Sequence, residues 1–255
     1  MSDQHETNPY KSPTKDAKES PATGRFPTKI ELLVIVAIIC VLIGLLLPSS
    51  TISCNLGFRG AIASSLKQIG LAMHDYHDAH GSLPPAMVTD NEGRPLYSWR
   101  VLILPYMGEG NLYQQFALDE PWDSETNLPL VQQMPDWFAD PTQRSSANLG
   151  ETCCLAIVDP KSDRTMMQST VGRRFSDVAD GLDLTGMVVF EPRRREVWTK
   201  PIDIHPKELV GRPPLRNNEI CGGLLLKGDA SSQWFGYVDS PSIRSYVYCD
   251  DDSTN

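Results

Sequence analysis

The stretch IASSLKQIGLAMHDYHDAHGSLPP, residues 62–85, decides how the rest of the chain is read. Apolar or aromatic side chains recur at Ile62, Leu66, Ile69, Met73, Tyr76 and His80, in steps of 4, 3, 4, 3 and 4. That spacing keeps them on one face, so the stretch predicts an amphipathic helix with His80 at the end of its buried stripe. Gly81 is placed as the C-cap, and Pro84-Pro85 ends the helix because proline cannot continue it. A helix with one apolar face must lie on something, and the rest of the chain has to supply it.

The same stretch raises the question of metal. His74, His77 and His80 follow one another in steps of three. Neighbours three apart can share a ligand, but on a 3.6-residue helix each such step drifts by about 60°. Three histidines therefore do not converge on one ion. With His80 on the stripe, His77 on its shoulder and His74 further round, packing or capping is the plainer reading. His74 and His77 remain candidate metal ligands, and no metal or other cofactor is assigned. Asp75 and Asp78 are read as solvent-facing.

Upstream lies RFPTKIELLVIVAIICVLIGLLLPSS, residues 25–50. Ile30 to Leu47 is eighteen residues with a single charge, Glu31. As a helix it would reach about 27 Å, close to the ~30 Å hydrocarbon thickness of a bilayer. A secretory h-region is shorter, and a core helix rarely lacks polar residues on every face. The segment is read as a transmembrane helix, residues 30–47. Lys15, Lys18, Arg25 and Lys29 precede it, whereas only Arg59 follows within fifteen residues. That bias keeps the head, residues 1–29, in the cytoplasm and places the remainder outside, a single-pass protein of the cytoplasmic (inner) membrane. The head is rich in Ser, Thr, Pro and charge and is expected to be disordered. After the membrane, residues 48–85 are expected to form a kink at Pro48, an irregular stretch SSTISCNLG, and then the amphipathic helix. Signal cleavage competes with this reading. In its lipoprotein form, Thr51-Ile52-Ser53-Cys54 would leave Cys54 as a lipidated N-terminus.

The net charge is −9, and from Pro48 onward there are 18 basic and 27 acidic residues. An acidic domain repels phosphate backbones, which argues against nucleic acid as a partner. Arg193-Arg194-Arg195 is read as a solvated turn or strand end. Of six cysteines, Cys40 lies in the apolar helix and five lie beyond it. Cys153 and Cys154 are adjacent on an expected strand, so their side chains diverge and should not bond to each other. Cys221 with Cys249 is the candidate disulfide to test first. The sequence contains no CxxC, G-x-S-x-G, Walker loop or G-x-G-x-x-G, so no motif points to an enzyme. Asp177, Asp180 and Asp183 read as an Asp/Gly-rich turn before a strand.

The remaining pattern is α+β. Short helices are expected at Ser98–Tyr106, Asn111–Phe116 and Thr126–Gln133. Strands are expected at Cys154–Val158, Met187–Glu191 and Glu196–Thr199. A hairpin follows, with Leu224–Lys227 and Gln233–Val238 joined through Gly228-Asp229-Ala230. Val158–Gly172 and Ile202–Asn218 read as loops. The outer domain is set at residues 86–240 and an acidic tail at 241–255. The expected fold is an N-terminal transmembrane helix, then an amphipathic helix packed on an antiparallel sheet.

Glu31 near the start of an apolar helix, with Pro48 seventeen residues later, resembles the N-terminus of type IV pilins and pseudopilins. More specifically, the chain resembles a large bacterial family of prepilin-like proteins built on a domain of unknown function. Carrying this resemblance are Leu66 to Asp78 followed by Gly81-Ser82-Leu83-Pro84-Pro85, Ser98 to Tyr106 with Asn111-Leu112-Tyr113, and Pro121-Trp122-Asp123-Ser124. Further landmarks are Phe175-Ser176-Asp177 with Asp180-Gly181, Val197 to Pro201, and Lys227 to Ser231, so the likeness runs over about residues 24–238. It implies a pseudopilin-like arrangement, membrane-helix packing through Glu31 and Pro48, and self-assembly or assembly with other pilin-like subunits. In such assemblies Glu31 would pair with the next subunit's N-terminus. The chain departs from the family at the processing site, where Phe26 stands in place of Gly and Pro27 follows. Proline there obstructs the extended backbone a protease grips, so prepilin processing does not carry over. The family's Cys-Pro-Ser is replaced by Asp140-Pro141-Thr142. Its histidine ahead of the C-terminal Asp has no counterpart.

Two classes of function are open. One is a membrane-anchored, non-enzymatic envelope protein with a structural or interaction role. The other is an envelope sensor or ligand- or glycan-binding module, for which Tyr97, Trp99, Tyr106, Trp122 and Trp137 could offer stacking surface, unless they are core.

Overall fold

A computed structural model describes residues 28–46, 50–141, 150–162, 164–209, 222–236 and 246–247. Residues 1–27 of the head, Pro48, Cys221, Cys249 and the acidic tail beyond 247 lie outside the described residues. The chain forms two compact units, Met1–Ser50 and Thr51–Asn255.

In the first unit, helix α1 spans Lys29–Leu46. A capping box starts it. Glu31 Oε2 accepts the Thr28 backbone N–H at 2.8 Å, and Thr28 Oγ1 accepts the Glu31 N–H at 3.5 Å. This satisfies two of the donors that a helix start leaves without partners. The described side chains of α1 are all exposed, among them ten large apolar ones from Ile30 to Leu42. Among the described residues, no helix is long and apolar enough to cross a membrane.

In the second unit, helix α2 spans Ser50–His80, 31 residues. The stretch from Ser50 to Gly57, expected to be irregular, is therefore helical. Its residues include no proline, and propensity alone does not break a helix that already has a buried stripe to follow. Ile62, Leu66, Ile69, Met73 and Tyr76 are buried as the spacing predicts. His80 is not; it is exposed and stacks on Tyr76 at 4.1 Å between ring centroids. The last turn runs past the edge of the core, so the stripe continues in sequence after its partner surface has ended. Gly81, at φ 77°, caps the helix, its N–H donating to His77 O.

The partner surface is a four-stranded antiparallel sheet whose strands lie in the order Cys154–Ala156, Gly186–Phe190, Gly222–Lys227, Ser232–Gly236. Before it in the chain come β1 (Met87–Thr89), β2 (Pro95–Ser98), α3 (Trp99–Leu102), α4 (Gly110–Tyr113) and β3 (Glu151–Thr152). Then follow β4 (Cys154–Ala156), β5 (Gly186–Phe190), β6 (Glu196–Val197), α5 (Pro206–Leu209), β7 (Gly222–Lys227) and β8 (Ser232–Gly236). β1 and β2 form a separate antiparallel ladder, as do β3 and β6. The expected strand at Glu196–Thr199 is thus a two-residue ladder with Glu151–Thr152, outside the main sheet. Leu128–Gln133 is a 3-10 helix led by Pro129 at its start.

Side-chain alternation splits the sheet into two buried faces. Val188, Phe190, Leu224 and Leu226 join the α2 stripe in one apolar cluster. Leu155, Val189 and Leu225 turn the other way, against Ile204, Leu209, Phe235 and Val247. Each fully buried side chain of this size contributes roughly 1.5–3 kcal/mol. The helix approaches the sheet most closely at Gly70. A Cβ placed there would lie 2.9 Å from Ala230 Cβ and 3.1 Å from Leu226 Cδ1. Ala230, in the β7–β8 turn, itself has φ 61°.

The region expected as loop from Ile202 is partly ordered against the sheet. Ile204 forms a parallel bridge with Ile157, and Ile204 N donates to Ala156 O while Val158 N donates to Ile204 O. This short parallel edge delivers Asp203 beneath β4.

Candidate functional site

The histidines of α2 are used as struts. His74 Nε2 lies 2.7 Å from Gly228 O, which requires that nitrogen to carry the proton. The Phe175 N–H donates to His77 Nε2 at 3.3 Å, and the two rings stack at 3.9 Å. His77 Nε2 is therefore an acceptor, and Nδ1 carries the proton, buried and 3.7 Å from Asp78. Each Nε2 is committed to backbone. Among the described residues, no group of three or more His, Cys, Asp or Glu is arranged to hold a metal ion. Asp75 and Asp78 are exposed.

The aromatic set divides. Tyr97 and Trp99 are core. Tyr106 and Trp122 are half-buried against it, and Trp137 is half-exposed. The arginine triplet is not simply solvated. Arg194 Nη1 pairs with Glu208 at 2.6 Å and Arg195 Nη2 with the nearly buried Asp140 at 2.6 Å. The turn position was legible; the carboxylates come from distant segments. Cys153 and Cys154 are free and buried. Burial pushes both thiols up, Cys154 to about 12, so neither is a thiolate nucleophile at neutral pH.

The most unusual chemistry lies at the α3–β4 corner. Arg100 is fully buried one residue into α3. Its Nε and Nη2 donate to Cys154 O at 2.9 and 2.7 Å, and Nη1 donates to Ser98 Oγ at 2.6 Å. Nη2 also donates to Asp203 Oδ1 at 2.8 Å. A buried guanidinium is costly unless its donors are met and its charge is opposed, and here both conditions hold. Asp203 Oδ1 also accepts Trp99 Nε1–H at 3.1 Å and the Ala156 N–H at 2.8 Å. Burial pushes the Asp203 carboxyl up, while Arg100 and the three donors pull the other way.

Asp203 is 7 % exposed, and that exposure opens on a cavity of about 190 Å³. Its polar wall is Ser169, Asp203, His205 and Glu208; its apolar wall is Ala86, Met87, Val158, Pro160 and Pro201. Among the described residues, every hydrogen bond to Asp203 falls on Oδ1, leaving Oδ2 for the cavity. The other polar groups are held from behind. His205 Nδ1 accepts the Lys207 N–H at 3.0 Å, so Nε2 carries the proton toward Asp159 Oδ1 at 3.4 Å. Glu208 Oε1 accepts the His205 N–H at 3.2 Å, and its Oε2 takes Arg194. None of the five aromatic residues lines the cavity.

Sequence reasoning missed this site. Arg100 sits in the Ser98–Tyr106 landmark and Asp203 two residues beyond Pro201, but 103 positions separate them. The available signal was an arginine inside an otherwise apolar run, Trp99-Arg100-Val101-Leu102-Ile103-Leu104. A charge there needs a buried partner.

A family model described as "Protein of unknown function (DUF1559)" matches residues 63–212, more than half of the chain, and the chain belongs to that family. No curated protein and no solved structure matches it.

Proposed function

We propose that this member of the DUF1559 family is a single-pass, membrane-anchored, pseudopilin-like envelope protein with a structural or interaction role and no enzymatic activity. The observation that carries the reading is α1. Its described side chains present apolar surface on every side, which a water-soluble helix does not do. Among the described residues no helix is long and apolar enough to span a membrane; by sequence the apolar run extends from Ile30 to Leu47, which as a helix would reach about 27 Å. Glu31 then sits at the membrane edge, its Oε2 accepting the Thr28 N–H. Self-assembly would draw on apolar packing between helices. The head stays in the cytoplasm and residues 51–255 outside, as the flanking charges require.

Alkaline carbonate extraction of membranes from cells expressing the full chain tests this. The protein is expected to stay in the pellet, and the double substitution Val36→Glu, Ile39→Lys to release it. Release of the unsubstituted chain would contradict the reading.

A second reading, a ligand-binding envelope module, is favoured by one observation. The cavity beside Asp203 exposes a carboxylate oxygen that the fold does not use.

A further inference from the structure

We infer that the Asp203 cavity binds a small organic ammonium ion, its N–H donors meeting Asp203 Oδ2 and its aliphatic part lying against Ala86, Met87 and Val158. This inference rests on the second reading above and names its ligand class. Three observations carry it. First, the carboxylate is held rigidly, with Arg100, Trp99 and Ala156 all bonded to Oδ1. The fold thus orients the group and leaves one oxygen with acceptor capacity, in a side chain more than nine-tenths buried. Second, the polar wall is rich in acceptors, although its carboxylates already have cationic partners, Arg100 for Asp203 and Arg194 for Glu208. Asp203 and Glu208 line it, Asp159 stands behind His205, and the His205 N–H is already turned to Asp159. An anionic ligand would meet carboxylates and find few donors. Third, five of the nine lining residues are apolar. A hard metal ion asks for about six oxygen ligands, which such a wall does not offer. An alkyl chain suits it. At about 190 Å³ the cavity exceeds the ~150 Å³ that accommodates benzene, so a four- or five-carbon amine fits.

The test is isothermal titration of the purified, detergent-solubilised full chain with n-butylammonium, 1-butanol and butyrate. Butylammonium is expected to bind saturably, about tenfold or more tighter than either of the others. Ser169→Leu, which fills the cavity and leaves the Arg100–Asp203 contacts untouched, is expected to abolish that binding. Asp203→Asn, where it folds, is expected to weaken butylammonium and leave butanol unchanged. Equal binding of butanol and butylammonium, or preference for butyrate, would overturn the ammonium assignment while the cavity remains a ligand site. Butylammonium binding that survives Ser169→Leu would overturn the location. Silence of all three probes would overturn both the assignment and the ligand-binding reading beneath it.

Discussion

Helix α2 and the segment from Ile202 to Leu209 both hold to the same four-stranded sheet, but by opposite means. The helix is held by repetition. Six buried side chains from Ile62 to Tyr76 share the packing, five of them large, and its polar struts, His74 and His77, are single hydrogen bonds to backbone. The segment is held by concentration. Two backbone hydrogen bonds flank Ile204, and one carboxylate, Asp203, meets Arg100, Trp99 and Ala156 together. Distributed packing declares itself in the sequence and tolerates loss at one point. A charge-centred node is silent in the sequence, and a single atom change removes several contacts from it.

Asp203 is accordingly where the largest effect is expected. Asp203→Leu leaves the Arg100 guanidinium buried without its counter-ion and two further donors unmet, a loss of about 3–5 kcal/mol. Asp203→Asn keeps an oxygen for those donors and should cost less, about 1–3 kcal/mol. Urea denaturation of the three proteins checks the order; an Asn variant as damaged as the Leu variant would show that charge alone, not the shared acceptor, holds the segment.

The helix side gives a smaller effect. Gly70→Ala gains about 1 kcal/mol of helix propensity, but its Cβ lands 2.9 Å from Ala230 Cβ. Overpacking of this kind costs about 1–3 kcal/mol, so net destabilisation of about 1 kcal/mol is expected. Smaller still is Ala230→Gly by itself. It relieves the φ of 61° while adding unfolded-state freedom, leaving stability within about 1 kcal/mol of the starting value. Combined with Gly70→Ala it should restore part of the loss, because the nearest methyl is gone while Leu226 Cδ1 at 3.1 Å and the residue 230 Cα at 3.2 Å remain. Additive behaviour of the two substitutions would mean that the helix meets the β7–β8 turn less closely than described.

The comparison also explains how much was legible. The α2 stripe, its Gly81 cap, the short helices from Trp99 to Tyr113 and the β7–β8 hairpin follow from local periodicity and turn chemistry. His80 was misplaced because periodicity shows which face is apolar, not how far the partner surface extends. The helical start at Ser50 was missed because its polar composition looked like a break. β1, β3 and β6 are two or three residues long, too short for alternation to register. Asp203 and the ion pairs of Arg194 and Arg195 depend on partners far along the chain. Local pattern does not encode those distances. Cys221, Cys249 and Pro48 fall outside the described residues.

The central claim, that α1 remains attached as a membrane anchor, is tested most directly by identifying the first residue of the protein extracted from native membranes. N-terminal peptide mapping by mass spectrometry does this. The account predicts a chain that begins ahead of Lys29 and yields peptides from Lys29–Leu46 still joined to the outer domain. A chain that begins at Cys54 carrying lipid, or anywhere past Leu46, would contradict it.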